Sequence, residues 1–237
     1  MHIGNVSSKF MSIGTLNNSN ILYEDNHIIV VIKPMGILSQ EDCTKEPDMV
    51  NIIKNYLKIK YKKEGNVYLG LVHRLDRNTS GIMVFAKTSK AAKRLSEQIS
   101  SHSIVKKYLA IVEGNVEDEK RLTNYLYKDE KIVKSFVVDE HKGKLAILDF
   151  KKLAYVNNTS LIEVTLHTGR HHQIRVQMSN YKHPLVGDTL YGSKFEAPYY
   201  LHAYYLAFLH PVTKEQLTFT NFPSKERWET FNLQKYQ

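Results

Sequence analysis

From His27 to Ile32 the chain runs through a nearly unbroken set of apolar and β-branched residues, stopped by Lys33-Pro34-Met35-Gly36. A short apolar run closed by turn formers predicts a buried strand followed by a tight turn. After Pro47, a residue at which a helix can begin, the period changes: Met49, Ile52, Ile53, Tyr56 and Leu57 recur at helical intervals with lysines between them. That stripe predicts a helix packed along one side. Ile82 to Ala86 reads as another strand, and Thr88 stands as a cap before a helix with Ala92, Leu95 and Ile99 on one face and Lys90, Lys93 and Arg94 on the other. Tyr108 to Glu113 predicts a strand ended by Gly114. Leu145 to Phe150 and Leu161 to Leu166 predict two more, the second alternating well enough to have one buried face. Helical spacing returns at Ile174, Met178 and Tyr181, and short aromatic-rich strands fill the remainder.

Residues 115–144 are charged and weakly patterned, and predict peripheral strands and loops. Residues 1–20 are rich in Asn and Ser with little apolar periodicity, and predict a flexible tail ahead of one domain over residues 21–237. A strand-heavy order with helices interspersed irregularly favours an α+β class over a doubly wound parallel sheet.

Composition narrows the setting. A chain of 237 residues can bury a substantial core, and no apolar run approaches the twenty or so residues of a membrane span. The first segment lacks the basic flank and apolar centre of a signal peptide, so a cytoplasmic protein without membrane association is expected. Cys43 is the single cysteine and cannot form an internal disulfide, which agrees with a reducing compartment. Lys and Arg outnumber Asp and Glu by 33 to 24, a formal charge of +9, so the surface field attracts polyanions. RNA, DNA and acidic membranes all fit that charge, and the 15 Tyr residues could supply stacking faces.

The chemistry concentrates in His73-Arg74-Leu75-Asp76-Arg77-Asn78-Thr79-Ser80-Gly81. Asp76 lies between two arginines in a turn-forming segment, where positive charge favours the ionised carboxylate. Such an acid suits a nucleophile or an anchor better than a proton donor. The ordinary role of an isolated Asp in a loop of this kind is a turn or cap paired with a nearby Arg. His167 and His171 are four residues apart, yet Gly169 lies between them, no Glu follows the metalloprotease pattern and cysteine ligands are lacking, so no metal is expected. Ser80 and Thr79 lack the Gly-x-Ser-x-Gly elbow of a hydrolytic nucleophile and fit backbone capping instead.

This nonapeptide, continued by Ile82-Met83-Val84-Phe85-Ala86-Lys87, resembles the catalytic motif of the RluA family of RNA pseudouridine synthases. Val30 to Gly36 resembles that family's Lys-Pro-x-Gly strand and turn, and Lys107-Tyr108-Leu109-Ala110 its tyrosine motif. Thr168-Gly169-Arg170-His171-His172-Gln173-Ile174-Arg175, Gly187-Asp188-x-x-Tyr191-Gly192 and Leu201-His202-Ala203 follow in the family's order. Several dissimilar motifs in sequence are far more specific than any one alone.

The resemblance implies a pseudouridine synthase fold: a long, mixed, mostly antiparallel sheet with flanking helices and loops around a central cleft, here without the N-terminal S4 RNA-binding domain that many relatives carry. It implies isomerisation of uridine in rRNA or tRNA, with no cofactor, no metal and no obligate protein partner. By the same resemblance Asp76 is the nucleophile, Tyr108 lies against the target base, and Arg175 is the basic residue paired with the catalytic Asp. Arg74 occupies the place vacated by the flipped base, and His73, Ile174 and Arg170 contact RNA or the base. His171 and Gln177 depart from the residues relatives more often carry, which bears on substrate contacts rather than on the reaction. The competing class is a non-catalytic RNA-binding or ribosome-assembly factor on the same fold, for which the intact Asp, Tyr and Arg have no use.

Overall fold

The computed structural model describes residue 16, residues 20–223 and residues 228–236. The tail expected over residues 1–20 therefore lies, apart from residues 16 and 20, outside the described residues. The chain divides into two compact units, Met1–Ser101 with Leu209–Gln216, and His102–Phe208 with Leu217–Gln237.

In the first unit, β1 (Ile21–Glu24), β2 (Ile28–Lys33) and β4 (Ser80–Ala86) lie side by side, and the short β3 (Gly70–Leu71) pairs with β4. These pairings are antiparallel. Ile28, Ile29, Val30 and Val31 are fully buried, each contributing roughly 1.5–3 kcal/mol relative to exposure. The apolar run of β2 is thus a central strand, as its sequence predicts. Its register against β4 runs from Ile28↔Ala86 to Lys33↔Gly81, which delivers Lys33 to the end of the His73–Gly81 segment.

Two helices cover this unit. α1 (Met49–Lys60) starts after Asp48 rather than at Pro47, because the Asp48 carboxylate accepts the Asn51 N–H at 3.1 Å and caps the first turn. α2 (Ser89–Ser100) is capped as expected by Thr88, whose hydroxyl accepts the Ala91 N–H at 3.2 Å. Ala91 and Leu95 are its buried positions.

The second unit holds β5 (Val105–Glu113), β6 (Glu119–Asp129), β7 (Lys134–Val138), β8 (Lys144–Val156), β9 (Thr159–Leu166), β10 (Leu201–Leu209), β11 (Gln216–Thr220) and α3 (Gln173–Asn180). Its strand order is β10-β5-β9-β8-β6-β7, with β11 on β10. Every neighbouring pair along that order is antiparallel. The charged stretch 115–144 forms the β6–β7 hairpin at the end of the order, where Leu122 and Leu126 are buried among mostly solvated neighbours. α3 packs Val176 against Leu126, Ala146 and Tyr191. A separate cluster joins Leu109, Ile111, Leu161 and Tyr204 to Trp228, Phe231 and Leu233. The class is α+β, built mainly on antiparallel pairing.

Candidate active site

Asp76 is positioned by its backbone neighbours. β3 pairs with β4 only at Gly70↔Ala86 and Leu71↔Phe85, and the chain then turns away. His73 fills the next place, its Nε2 accepting the Val84 N–H at 3.0 Å as a strand carbonyl otherwise would. Accepting that bond requires a lone pair on Nε2, which puts the proton of the neutral ring on Nδ1. Leu75 is buried, and Ser39 grips it from both sides: the Ser39 hydroxyl donates to the Leu75 carbonyl at 2.7 Å and accepts the Leu75 N–H at 3.0 Å. On the other side of Asp76, the Arg77 carbonyl accepts the Gly36 N–H at 2.9 Å and the Lys33 amine at 2.9 Å. Gly36 has φ +86°, a left-handed conformation that the turn after Pro34 requires. A bond from the Thr79 N–H to the Asp76 carbonyl at 3.0 Å closes the turn into β4. Asp76 is half-buried between these two fixed peptides, with Arg74 and Arg77 exposed beside it.

The electrostatics differ from the pattern read in the sequence. Arg77 points its guanidinium at Glu46, with Nη2 at 2.5 Å from the carboxylate, and its Nε donates to the Gly36 carbonyl at 3.2 Å. Lys33 is the buried cation beside the segment. Its side chain is fully buried and its amine donates to the carbonyls of Pro34, Ile37 and Arg77 at 3.0, 2.6 and 2.9 Å. Burial pulls its pKa down to about 7, while the Asp76 charge acts to raise it and Arg77 to lower it. The Asp76 charge therefore bears on the protonation of Lys33. The sequence marks Lys33 only as a turn residue, and nothing in the pattern around Ser39 singles it out.

The second unit carries the other expected residues. Gln173 braces the loop before α3: its Oε1 accepts the Thr168 hydroxyl at 2.8 Å and the Arg170 N–H at 3.0 Å, and its Nε2 donates to the Ile147 carbonyl at 3.1 Å. Arg170 is exposed with Nε on the Leu145 carbonyl at 2.8 Å. His172 takes a left-handed conformation, φ 52°, stacks on His171 with ring centroids 3.7 Å apart and shares a hydrogen bond of 3.0 Å with the Tyr191 hydroxyl. These contacts hold a strained residue where α3 begins. Ile174 and Arg175 follow, both buried. Arg175 grips Asp188 with Nε at 2.7 Å and Nη2 at 2.9 Å, and its guanidinium carbon sits 4.4 Å from the Tyr199 ring centre. A two-pronged pair of this kind fixes the plane of the guanidinium as well as its place. Tyr108, buried on β5, lies opposite Val164 of β9 and Ala203 of β10.

The expected residues thus fall into two sets: His73, Arg74 and Asp76 share one clamped segment, and Tyr108, Arg170, Ile174 and Arg175 belong to the other unit. Asp188 and Gln173 are positioning residues whose work the motifs carried without explaining. The histidine pair weighed for a metal is engaged otherwise, His167 with Asp149 at 2.7 Å and His171 with Ser135 at 2.9 Å. Among the described residues no group of three or more His, Cys, Asp or Glu side chains is placed to hold a metal ion, and no helix is long and apolar enough to cross a membrane.

Comparison with known proteins places the chain among its relatives. The family model for RNA pseudouridylate synthase matches residues 27–180. The chain is 35% identical over 213 residues to ribosomal large subunit pseudouridine synthase D of Zymomonas mobilis, covering 84% of this chain and 67% of that one. It is 31% identical over 222 residues to tRNA pseudouridine synthase C of Haemophilus influenzae, covering 84% and 91%. Its fold resembles human RNA pseudouridylate synthase domain containing 4, with a TM-score of 0.76 at 21% identity over 95% of this chain and 97% of that one. With the Asp76 segment and the Thr168–Arg175 loop both inside or overlapping the matched span, the chain belongs to the RNA pseudouridylate synthase family.

Proposed function

We propose that this enzyme converts specific uridines of ribosomal or transfer RNA to pseudouridine, with Asp76 as the nucleophile. The observation that carries the reading is a half-buried carboxylate whose two neighbouring peptides are clamped by Ser39 and by Lys33 and Gly36, in a chain of this family. The reaction breaks the bond from uracil N1 to ribose C1′, turns the base and rejoins it through C5, with no net oxidation and no hydrolysis. A fixed carboxylate serves it by attacking C1′, by adding to C6, or by stabilising positive charge at the sugar while a proton leaves C2′. No cofactor, metal or protein partner is needed on this reading, and the cytoplasm is where such RNAs are modified.

A stacked uridine must leave its helix before a carboxylate reaches C1′, at a cost of a few kcal/mol. Arg74, exposed next to the clamped Leu75, fills the vacated place, where a planar cation stacks on bases and bonds their edges. Tyr108 serves as a wall for the base, and Arg175, its guanidinium aligned by Asp188, serves as the basic residue of the reaction. Ile174 lines the pocket and Arg170 meets the RNA backbone. His73, with Nε2 taken by Val84, supports RNA contact by holding the start of the segment on β4.

The test is a map of pseudouridine in total RNA from cells with and without the gene. One or a few uridines of ribosomal or transfer RNA lose the modification in the deletion and regain it when the gene is restored. Identical maps would overturn the reading.

A further inference from the structure

Lys106 and Lys107 are consecutive on β5 and so point to opposite faces of the sheet. Their surroundings differ sharply. Lys107 has a counter-ion, the Glu163 carboxylate at 3.1 Å, and lies over the Tyr205 ring at 5.8 Å. Lys106 shares the face of Tyr108, two residues on, and has no hydrogen-bond or ion-pair partner among the described residues. Its amine reaches the loop before α3, where a side-chain carbon placed on Gly169 would lie 3.5 Å from Nζ. Arg170, exposed, is the next residue in that loop.

Lys106 is half-buried, and the loss of water around its amine lowers its pKa. A desolvated ammonium without a counter-ion is unfavourable, and nothing in the described fold offsets it. On a strand that provides one lysine with a carboxylate, leaving the other bare on the side of Tyr108 and the Gly169 turn describes a site that waits for an anion.

We propose that Lys106, together with the exposed turn at Gly169, forms a binding site for a backbone phosphate of the RNA strand that carries the target uridine. The proposal deepens the function given above and rests on it. Lys106 is a binding residue here: it holds the RNA strand and takes no part in bond making.

The experiment measures binding of the full chain to rRNA and tRNA purified from cells lacking the gene, over a series of salt concentrations, with pseudouridine formation followed in the same reactions. Lys106→Gln weakens binding roughly 10-fold near physiological salt and lowers the slope of log affinity against log salt by about 0.7–0.9, the share of one phosphate contact. Lys106→Arg keeps the slope, and Lys107→Gln, on the opposite face, changes it little. Lys106→Met separates binding from folding: removal of an unmatched charge leaves the melting temperature unchanged or raises it while RNA binding falls. Wild-type affinity and slope in Lys106→Gln would overturn the proposal, as would a Lys106→Met protein that is less stable yet binds RNA normally. If wild-type protein forms no pseudouridine in either RNA class while Lys106→Gln still shows the reduced slope, the phosphate site stands and the functional reading falls.

Discussion

The Lys33 amine sits in a cage of three carbonyls, with its pKa lowered by burial to about 7. An unfolded lysine titrates near 10.5, so between about pH 7 and 10.5 the unfolded chain binds more protons than the folded one, and this group's contribution to stability rises with pH across that window. Below about pH 7 the full penalty of a buried ammonium is present. The difference in unfolding free energy between wild type and Lys33→Met, measured by urea denaturation from pH 6 to 10, carries that slope. Because the Asp76 charge favours the ammonium, Asp76→Asn moves the Lys33 titration to lower pH, which nitrogen NMR of the lysine amine reads directly. Arg175 and Asp188 form the other tight residue pair. Removing the carboxylate by Asp188→Asn lowers stability by about 3 kcal/mol in thermal unfolding, as expected when a buried pair loses one charge. At this scale the contacts of the singled-out residues were not legible in the sequence. Arg175 and Asp188 are far enough apart in the chain that no spacing rule joins them, and the neighbours that clamp Leu75 and Arg77 come from Ser39, Gly36 and Lys33, on a turn distant in sequence.

Elements were legible where burial is one-sided or complete. β2 is apolar from Ile28 to Ile32 because it lies between β1 and β4; α1 shows itself by its stripe and α2 by its Thr88 cap, although α2 buries Ala91 and Leu95 rather than the face of Ala92, Leu95 and Ile99. Peripheral strands were expected over residues 115–144, but the bounds and pairing of β6 and β7 and the length of β8 were not legible, since strands whose faces are largely solvated carry charged residues without clean alternation. Nor was the network that ties β1 to α1: the Glu24 carboxylate is buried and accepts from Lys60 at 2.7 Å, Lys87 at 2.7 Å, Tyr56 at 3.0 Å and Tyr61 at 2.7 Å. Burial alone would raise its pKa, but the bonds from Lys60, Lys87 and Tyr61 outweigh it and hold the carboxyl at about 2. A carboxylate held down in this way adds stability above its unfolded pKa near 4.5, and that share is lost as pH falls toward 2. Glu24→Gln removes it at neutral pH, lowering stability by about 3 kcal/mol and flattening the acid limb of the unfolding curve between pH 5 and 2.

For the molecule as a whole, a formal charge of +9 draws RNA in general, and the ordered motifs name the reaction that the charge alone leaves open among several polyanions. On the proposed function chemistry and binding are separable, with phosphate contacts dominating affinity and the Asp76 carboxylate assigned the bond making. Asp76→Asn is the most direct test of that division. Wild type and variant are incubated with ribosomal and transfer RNA from cells lacking the gene, and pseudouridine is mapped alongside RNA binding. Wild type restores the modification, whereas the variant binds the same RNA nearly as tightly and forms none; substantial pseudouridine formation by Asp76→Asn at the restored position would contradict the account.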